Sequence, residues 1–238
     1  MVTLSPRLPG ENIKEYSYRV IKDSIMSLEL EPGKSISEIE LAEALQISRT
    51  PIREVLAKLR EEHLVEVFPQ VGTYISKIKP QLIMEASFMR FTLEREILKL
   101  SCESFPIPNL FDLKKNVALQ KELVGQKGSE REFHRLDKEF HRTIFEGNKK
   151  ENVWAAITRI STHYNRIRLL SEMQHNFDDA IAQHERIVEI IENKECESAE
   201  EIARRHILEP MPLWEDLFRD DSPYLNYFEL PTSRPVFL

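Results

Sequence analysis

The sequence predicts a mainly α-helical chain interrupted by one short β element. Three observations carry that reading. Apolar residues recur at i, i+3, i+4 and i+7 along most of the length, the spacing of one buried helix face. Only 6 of the 238 residues are glycine. One stretch, HLVEVFPQVGTYISKI (63–78), instead alternates apolar and polar residues around a Pro–Gly turn.

A length of 238 residues is enough for two modest domains, each with its own core. Hydrophobic residues at 41% and charged residues at 31% place the chain among soluble globular proteins. No apolar run approaches the roughly 18 residues needed to cross a bilayer, so no membrane partner is expected. The N-terminus, MVTLSPRLPGEN, lacks a basic start followed by an apolar stretch, so no secretory signal is read there. Cys102 and Cys196 are isolated and read as reduced thiols of a cytoplasmic protein. Net charge is −7, which by itself speaks against a nucleic-acid partner. The distribution softens this. Residues 1–79 hold 11 basic and 12 acidic side chains, and residues 47–79 hold 6 and 4. A case for DNA must therefore come from a motif rather than from bulk charge.

The elements of the first 79 residues follow in order. A first helix spans Asn12 to Leu28, with Ile13, Tyr16, Val20, Ile21, Ile25 and Leu28 at helical spacing, and Glu31-Pro32-Gly33 stops it. A second helix starts at Ser37, where Ser37 and Glu40 form a capping-box pattern, and Leu41, Ala42 and Leu45 face inward. A third follows in ISRTPIREVLAKL (47–59), where Ile52, Val55, Leu56 and Leu59 make the buried face. A short helix, a tight turn and a second amphipathic helix describe a helix-turn-helix. The alternating stretch then gives a two-stranded hairpin turning through Pro69–Gly72, with Gly72 suited to positive φ. Three helices and a hairpin make a winged helix.

The third helix begins with two arginines, although the dipole at that end favours acids. An anion arriving there resolves the conflict. In a helix-turn-helix the second helix puts its N-terminal end into the major groove, where phosphates are the anions. Arg49 and Arg53 lie one turn apart, off the apolar stripe, and each guanidinium suits a phosphate or a guanine edge. Ser48 and Thr50 can cap the helix or donate to phosphate. Residues 37–76, SEIELAEALQISRTPIREVLAKLREEHLVEVFPQVGTYIS, strongly resemble the winged-helix domain of the GntR family of bacterial transcription regulators. The resemblance implies that Arg49 and Arg53 contact DNA, that Ser48 and Thr50 lie near the backbone, and that Gly72 lets the wing approach the minor groove. Position 39, where some members carry another DNA-contacting arginine, is Ile39 here.

The boundary is placed near residue 79, with a helical domain over 80–220 and a tail over 221–238. Helices are expected at about 81–104, 109–124, 129–147, 151–172, 176–193 and 198–218, separated by short polar breaks. Ser129 with Glu132, and Ser198 with Glu201, match further capping boxes. Six helices with short connections pack as an antiparallel bundle.

The chemistry lies on the inner faces of that bundle. In the helix over 129–147 the stripe is Phe133, Leu136, Phe140 and Ile144, and Asp137 and His141 fall in the same arc one turn apart. His184 sits inside the stripe of Ile181, Val188 and Ile191, and Ala199, Ile202 and Ala203 lead to His206. Any one such histidine is by default a hydrogen-bonded core residue. One carboxylate and three imidazoles turned inward together are best satisfied by a divalent metal, and Zn²⁺, Ni²⁺ and Mn²⁺ all suit this set. His134 lies on the edge of the stripe, and His63, His163 and His175 are not read as ligands.

The second domain also resembles a family module over about residues 83–215: the FCD effector-binding domain of the FadR-like subgroup of GntR regulators. DKEFH (137–141), QHERI (183–187) and ARRH (203–206) carry the resemblance. It implies that Asp137, His141, His184 and His206 bind a divalent metal whose coordination a small carboxylate completes. RFTLE (90–94) fits the module's first helix, making Arg90 a candidate for the ligand's carboxylate, as are Arg166 and Arg168; each has an equal reading as a salt bridge. The tail SPYLNYFELPTSRPVFL (222–238) has no helical period and is either frayed or an arm over its own or a partner subunit.

The whole reads as a homodimeric, metabolite-responsive regulator on a palindromic operator, and not as an enzyme. The alternative from another class is a metal-dependent hydrolase with an appended DNA-binding domain; no separate carboxylate is placed as its general base. A regulator sensing the metal itself is a second alternative.

Overall fold

The computed structural model describes residues 3–230. They form two compact units. One takes in the residues up to Pro80 and those from Leu217 onward; the other is Gln81–Asp216.

The first unit is a winged helix. Helix α1 (Ile13–Met26) starts at Asn12, whose side chain accepts from the Glu15 amide while the Glu15 carboxylate accepts from the Asn12 amide. In α2 (Glu38–Leu45) the serine half of the expected box forms: Ser37 Oγ accepts from the amides of Ile39 and Glu40. Gln46, in left-handed conformation, ends α2 and turns the chain into α3 (Arg49–Glu61). Val20, Ile21 and Ile25 of α1, Leu41 and Leu45 of α2, and Ile52, Val55, Leu56 and Leu59 of α3 close one core with Leu64, Val65 and Ile75. The wing pairs β2 (Val65–Phe68) with β3 (Gly72–Ile75), Phe68 opposite Gly72. A third strand, β1 (Ser35–Ile36), adds to the far edge of β3, so the sheet has three strands and not the expected two. Two residues are too few to show an alternation, which is why periodicity missed it.

The tail rejoins this unit. Beyond a 3₁₀ turn at Leu225–Tyr227, Phe228 bridges Ile78 in parallel. The Ile78 amide donates to Tyr227 O (2.8 Å) and the Glu229 amide to Ile78 O (2.9 Å). Phe228 is buried on Phe218, ring centroids 4.2 Å apart, and Lys79 Nζ holds both Glu66 and Glu229. As far as Leu230 the tail is thus an arm on its own chain. Residues 231–238 lie outside the described residues.

The second unit is helical: α4 (Pro80–Glu103), α5 (Ile107–Glu122), α6 (Glu130–Gly147), α7 (Glu151–Ile160), α8 (Thr162–Gln174), α9 (Asp178–Asn193) and α10 (Ala199–Ile207). Two expectations are corrected. The helix expected over 151–172 breaks at Ser161 into α7 and α8, and the one expected over 198–218 stops at Ile207, before Pro210 and Pro212, giving way to a 3₁₀ segment at Met211–Phe218. A proline lacks the amide an α-helix needs. Ser129 and Ser198 do not cap. Both have αR backbone, so their side chains cannot turn back onto the first turn. Ser129 Oγ instead donates to the Leu123 and Gln126 carbonyls. Cys102 and Cys196 are free thiols. Among the described residues no helix is long and apolar enough to cross a membrane.

Candidate metal centre and nucleic-acid interface

The start of α3 is a solvent-facing surface. Ser48, Arg49, Thr50 and Arg53 are all exposed, and Ser48 stands at the N-cap position without a side-chain cap bond. Gly72, at the wing tip, is exposed with φ +153°, a conformation few side chains tolerate. A residue the sequence reading passed over joins the arginines. Glu38 Oε2 accepts from Arg53 Nε at 2.7 Å and Arg49 Nη2 at 3.4 Å. Ile39 is exposed beside it.

Inside the bundle, α6, α9 and α10 bring Asp137, His141, His184 and His206 together. All four are buried, and one ligand atom from each lies within 4.8 Å of the others. Asp137 and His141 share a face of α6 because residues four apart are neighbours on a helix. The apolar stripes around them turn the whole set inward: Phe133, Phe140 and Ile144 of α6 pack with Ile181, Ile187 and Ile191 of α9 and Ile202 of α10. Phe140 stacks on the His184 ring at 4.3 Å.

The hydrogen bonds fix which nitrogen of each ring faces the centre. His141 Nδ1 lies 2.8 Å from Glu94 Oε2, His184 Nδ1 2.7 Å from Gln120 Oε1, and His206 Nδ1 2.8 Å from Gln183 Oε1. Each of these oxygens only accepts, so each Nδ1 carries a proton and, in the neutral ring, each Nε2 presents a lone pair. The lone pairs converge. His141 Nε2 and His206 Nε2 are 2.9 Å apart, and His184 Nε2 is 3.3 Å from Asp137 Oδ1. His184 Nε2 is buried without hydrogen-bond geometry to any partner. Two facing lone pairs repel unless a cation or proton lies between them. Ligand atoms about 2.1 Å from a common ion are roughly 3.0–3.4 Å apart, from octahedral to tetrahedral angles. The 2.9 and 3.3 Å separations lie close to that spacing, while His141 Nε2 is 3.8 Å from Asp137 Oδ1 and the four atoms spread over as much as 4.8 Å; the donor set fits a divalent ion once these atoms draw in around it.

The charges are arranged to suit. Burial pushes the Asp137 carboxyl up, but Arg168, bonded to both its oxygens at 2.8 Å, outweighs this and holds it well below the usual range. Burial also pushes up Glu94, but Arg90 and His141 bring it down to about 2. Burial lowers His184 to about 4, and burial, with its two histidine neighbours, lowers His206 too. The carboxylates are therefore ionised and these two imidazoles neutral near pH 7.

A cavity of about 530 Å³ opens beside the centre, with Arg168, Gln183, Arg205, His206, Tyr164 and Trp214 on its wall. Of the three arginines considered for a ligand, Arg168 reaches this wall. Arg90 is buried, its Nε on Glu94 at 2.6 Å and its guanidinium over the Tyr164 ring. Arg166 is fully buried, with Nη2 3.1 Å from His163 Nδ1. His134 Nδ1 faces Glu172 at 2.9 Å. Sequence reasoning missed Gln120, Gln183 and Glu94 as partners of the rings, and Arg186 and Arg205 on the wall. Only Glu94, four residues after Arg90, left a signal in the sequence.

Comparison with known proteins agrees with both halves. The sequence model "Bacterial regulatory proteins, gntR family" matches residues 15–75, and that of the FCD domain matches residues 85–209. An uncharacterized HTH-type transcriptional regulator in an unstable DNA locus of Streptomyces ambofaciens is 31% identical over 83% of both chains. The HTH-type transcriptional repressor RspR of Escherichia coli K12 is 24% identical over 84% of this chain and 88% of its own. The solved structure of E. coli McbR/YncC shares the fold, with TM-score 0.76 at 16% identity over 88% of this chain and 100% of that one. The chain belongs to the GntR family of bacterial transcription regulators and carries an FCD domain. The matched families and relatives are regulators and not enzymes.

Proposed function

We propose that this regulator binds a palindromic operator as a homodimer, and that a metal-assisted site for a small carboxylate metabolite in the helical unit controls that binding. The observation that carries the reading is the convergence of three Nε2 lone pairs, each fixed by an acceptor on Nδ1, with the Asp137 carboxylate beside a cavity with arginines on its wall.

Asp137, His141, His184 and His206 would hold the ion, and a bound divalent ion supplies Lewis-acid positions for ligand oxygens. The protein's own charges leave that ion largely uncompensated, because Asp137 is paired with Arg168 and Glu94 with Arg90. An organic acid entering the cavity would meet the ion's open positions and Arg168, Arg186 and Arg205 on a wall that also carries Glu172, Asp179, Glu201 and Glu209. Arg49 and Arg53 read the operator, Ser48 and Thr50 bond its backbone, and Gly72 lets the wing approach. The acid changes operator affinity only as far as it prefers one of two arrangements of the helices around the centre.

Two titrations test this. Zn²⁺ added to chelator-treated protein is expected to bind one ion per chain by calorimetry, with loss in His141→Ala and His206→Ala variants. Operator duplexes selected from a random pool are expected to bind the zinc-loaded protein, with about 10–100-fold loss in Arg53→Ala. Full zinc affinity in both histidine variants would overturn the metal site. A panel of carboxylic acids then follows. If zinc alone sets operator affinity and no acid alters it, the metal is itself the signal.

A further inference from the structure

We propose that Glu38 is a positioning residue that sets the sequence discrimination of the DNA-reading helix. It holds Arg49 and Arg53 in place for base edges and offsets their charge toward phosphates. The inference rests on the DNA-reading role proposed above for α3.

Ser37 caps α2, which places Glu38 in the first turn, where the helix dipole favours a carboxylate. From there its Oε2 reaches across the turn to both arginines, one turn apart on α3. The hydrogen bond from Arg53 holds the Glu38 carboxyl below its usual range, so it is ionised at neutral pH. Arg53 engages through Nε. That leaves its Nη1/Nη2 fork, the edge whose spacing matches O6 and N7 of guanine. Residues 48–53, SRTPIR, carry no acid of their own, and Ile39 adds no charge. Without Glu38 the leading end of α3 would present two uncompensated guanidiniums on top of the positive helix terminus.

The consequence is differential. Random duplex offers mainly phosphates, whose attraction to the arginines is electrostatic and is offset by the Glu38 carboxylate. An operator guanine can be met by the free fork while Nε stays paired. The ion pair is exposed, weak and exchangeable, so it biases a choice and does not block binding. Removing the carboxylate therefore helps random DNA more than the operator.

The test uses the full-length, zinc-loaded protein, an operator duplex selected by the wild type, and a random duplex of equal length. Glu38 is exposed in part, so Glu38→Gln and Glu38→Asp are expected to fold normally. With Glu38→Gln, binding to the random duplex is expected to tighten about three- to tenfold, and its salt dependence to steepen by about one counterion. Operator affinity is expected to change less than about twofold, so the operator-to-random ratio falls. Glu38→Asp, which keeps the charge, is expected to keep the wild-type salt slope. An unchanged ratio and slope in Glu38→Gln, or parallel weakening on both duplexes, overturns the inference. If the wild type selects no duplex, the DNA-reading role fails as well. If it selects one and Glu38→Gln discriminates equally well, only the role of Glu38 fails.

Discussion

Glu38 and Asp137 both grip arginine, in opposite settings. The Glu38 side chain is 30% exposed and that of Arg53 62% exposed, and their contact is one oxygen on one Nε. The Asp137 side chain is 3% exposed and that of Arg168 12% exposed, and two parallel bonds join them. Water screens the first pair, so DNA can take its arginines at little cost. The second pair is largely withdrawn from water, and losing one partner strands a charge. The same chemistry thus gives an exchangeable contact at the surface and a fixed scaffold in the bundle.

The largest way to break that contrast is Arg168→Ala. It should destabilise the metal-free protein by about 3–5 kcal/mol in urea unfolding, against about 0–1 kcal/mol for Glu38→Gln. Equal costs would mean the two pairs are energetically alike. Next comes the arm. Phe228→Ala removes a ring buried against Phe218 in the winged unit and is expected to cost about 3 kcal/mol. Hydrogen exchange should then rise at the Ile78 and Glu229 amides while zinc affinity stays unchanged. A frayed arm would give no effect.

How much of this was readable without coordinates differs by element. The α6 stripe of Phe133, Phe140 and Ile144 gave the helix, its buried face and the inward Asp137 and His141, because all are set by spacing within one helix. His184 and His206 followed from the same local logic. Gln120, Gln183 and Glu94 did not, since a ring's partner depends on how neighbouring helices are set in register. The break at Ser161 carries no proline or glycine to mark it. The arm's pairing with Ile78 links residues 150 apart, which no local pattern encodes.

A smaller effect sharpens the buried side. Gln183→Ala removes the acceptor on His206 Nδ1 and is expected to weaken zinc binding about 10–100-fold by calorimetry, with little change in unfolding. The smallest lies in the winged unit, at Glu11. Hydrogen bonds from Arg19 lower its carboxyl from 4.5 to about 2. A lowered acid stabilises the fold above its unfolded pKa and loses that contribution as pH falls through the folded one. Protection of the Leu8 amide, which donates to Glu11, taken relative to the intrinsic exchange rate at each pH, is therefore expected to fall between pH 4.5 and about 2. Unchanged protection across that window would contradict the pairing.

The most direct measurement is diffraction from crystals of the zinc-loaded protein at the zinc absorption edge. One anomalous peak is expected about 2.0–2.3 Å from Nε2 of His141, His184 and His206 and from a carboxylate oxygen of Asp137. A peak elsewhere, or none at the point where these four residues meet, would contradict the metal site.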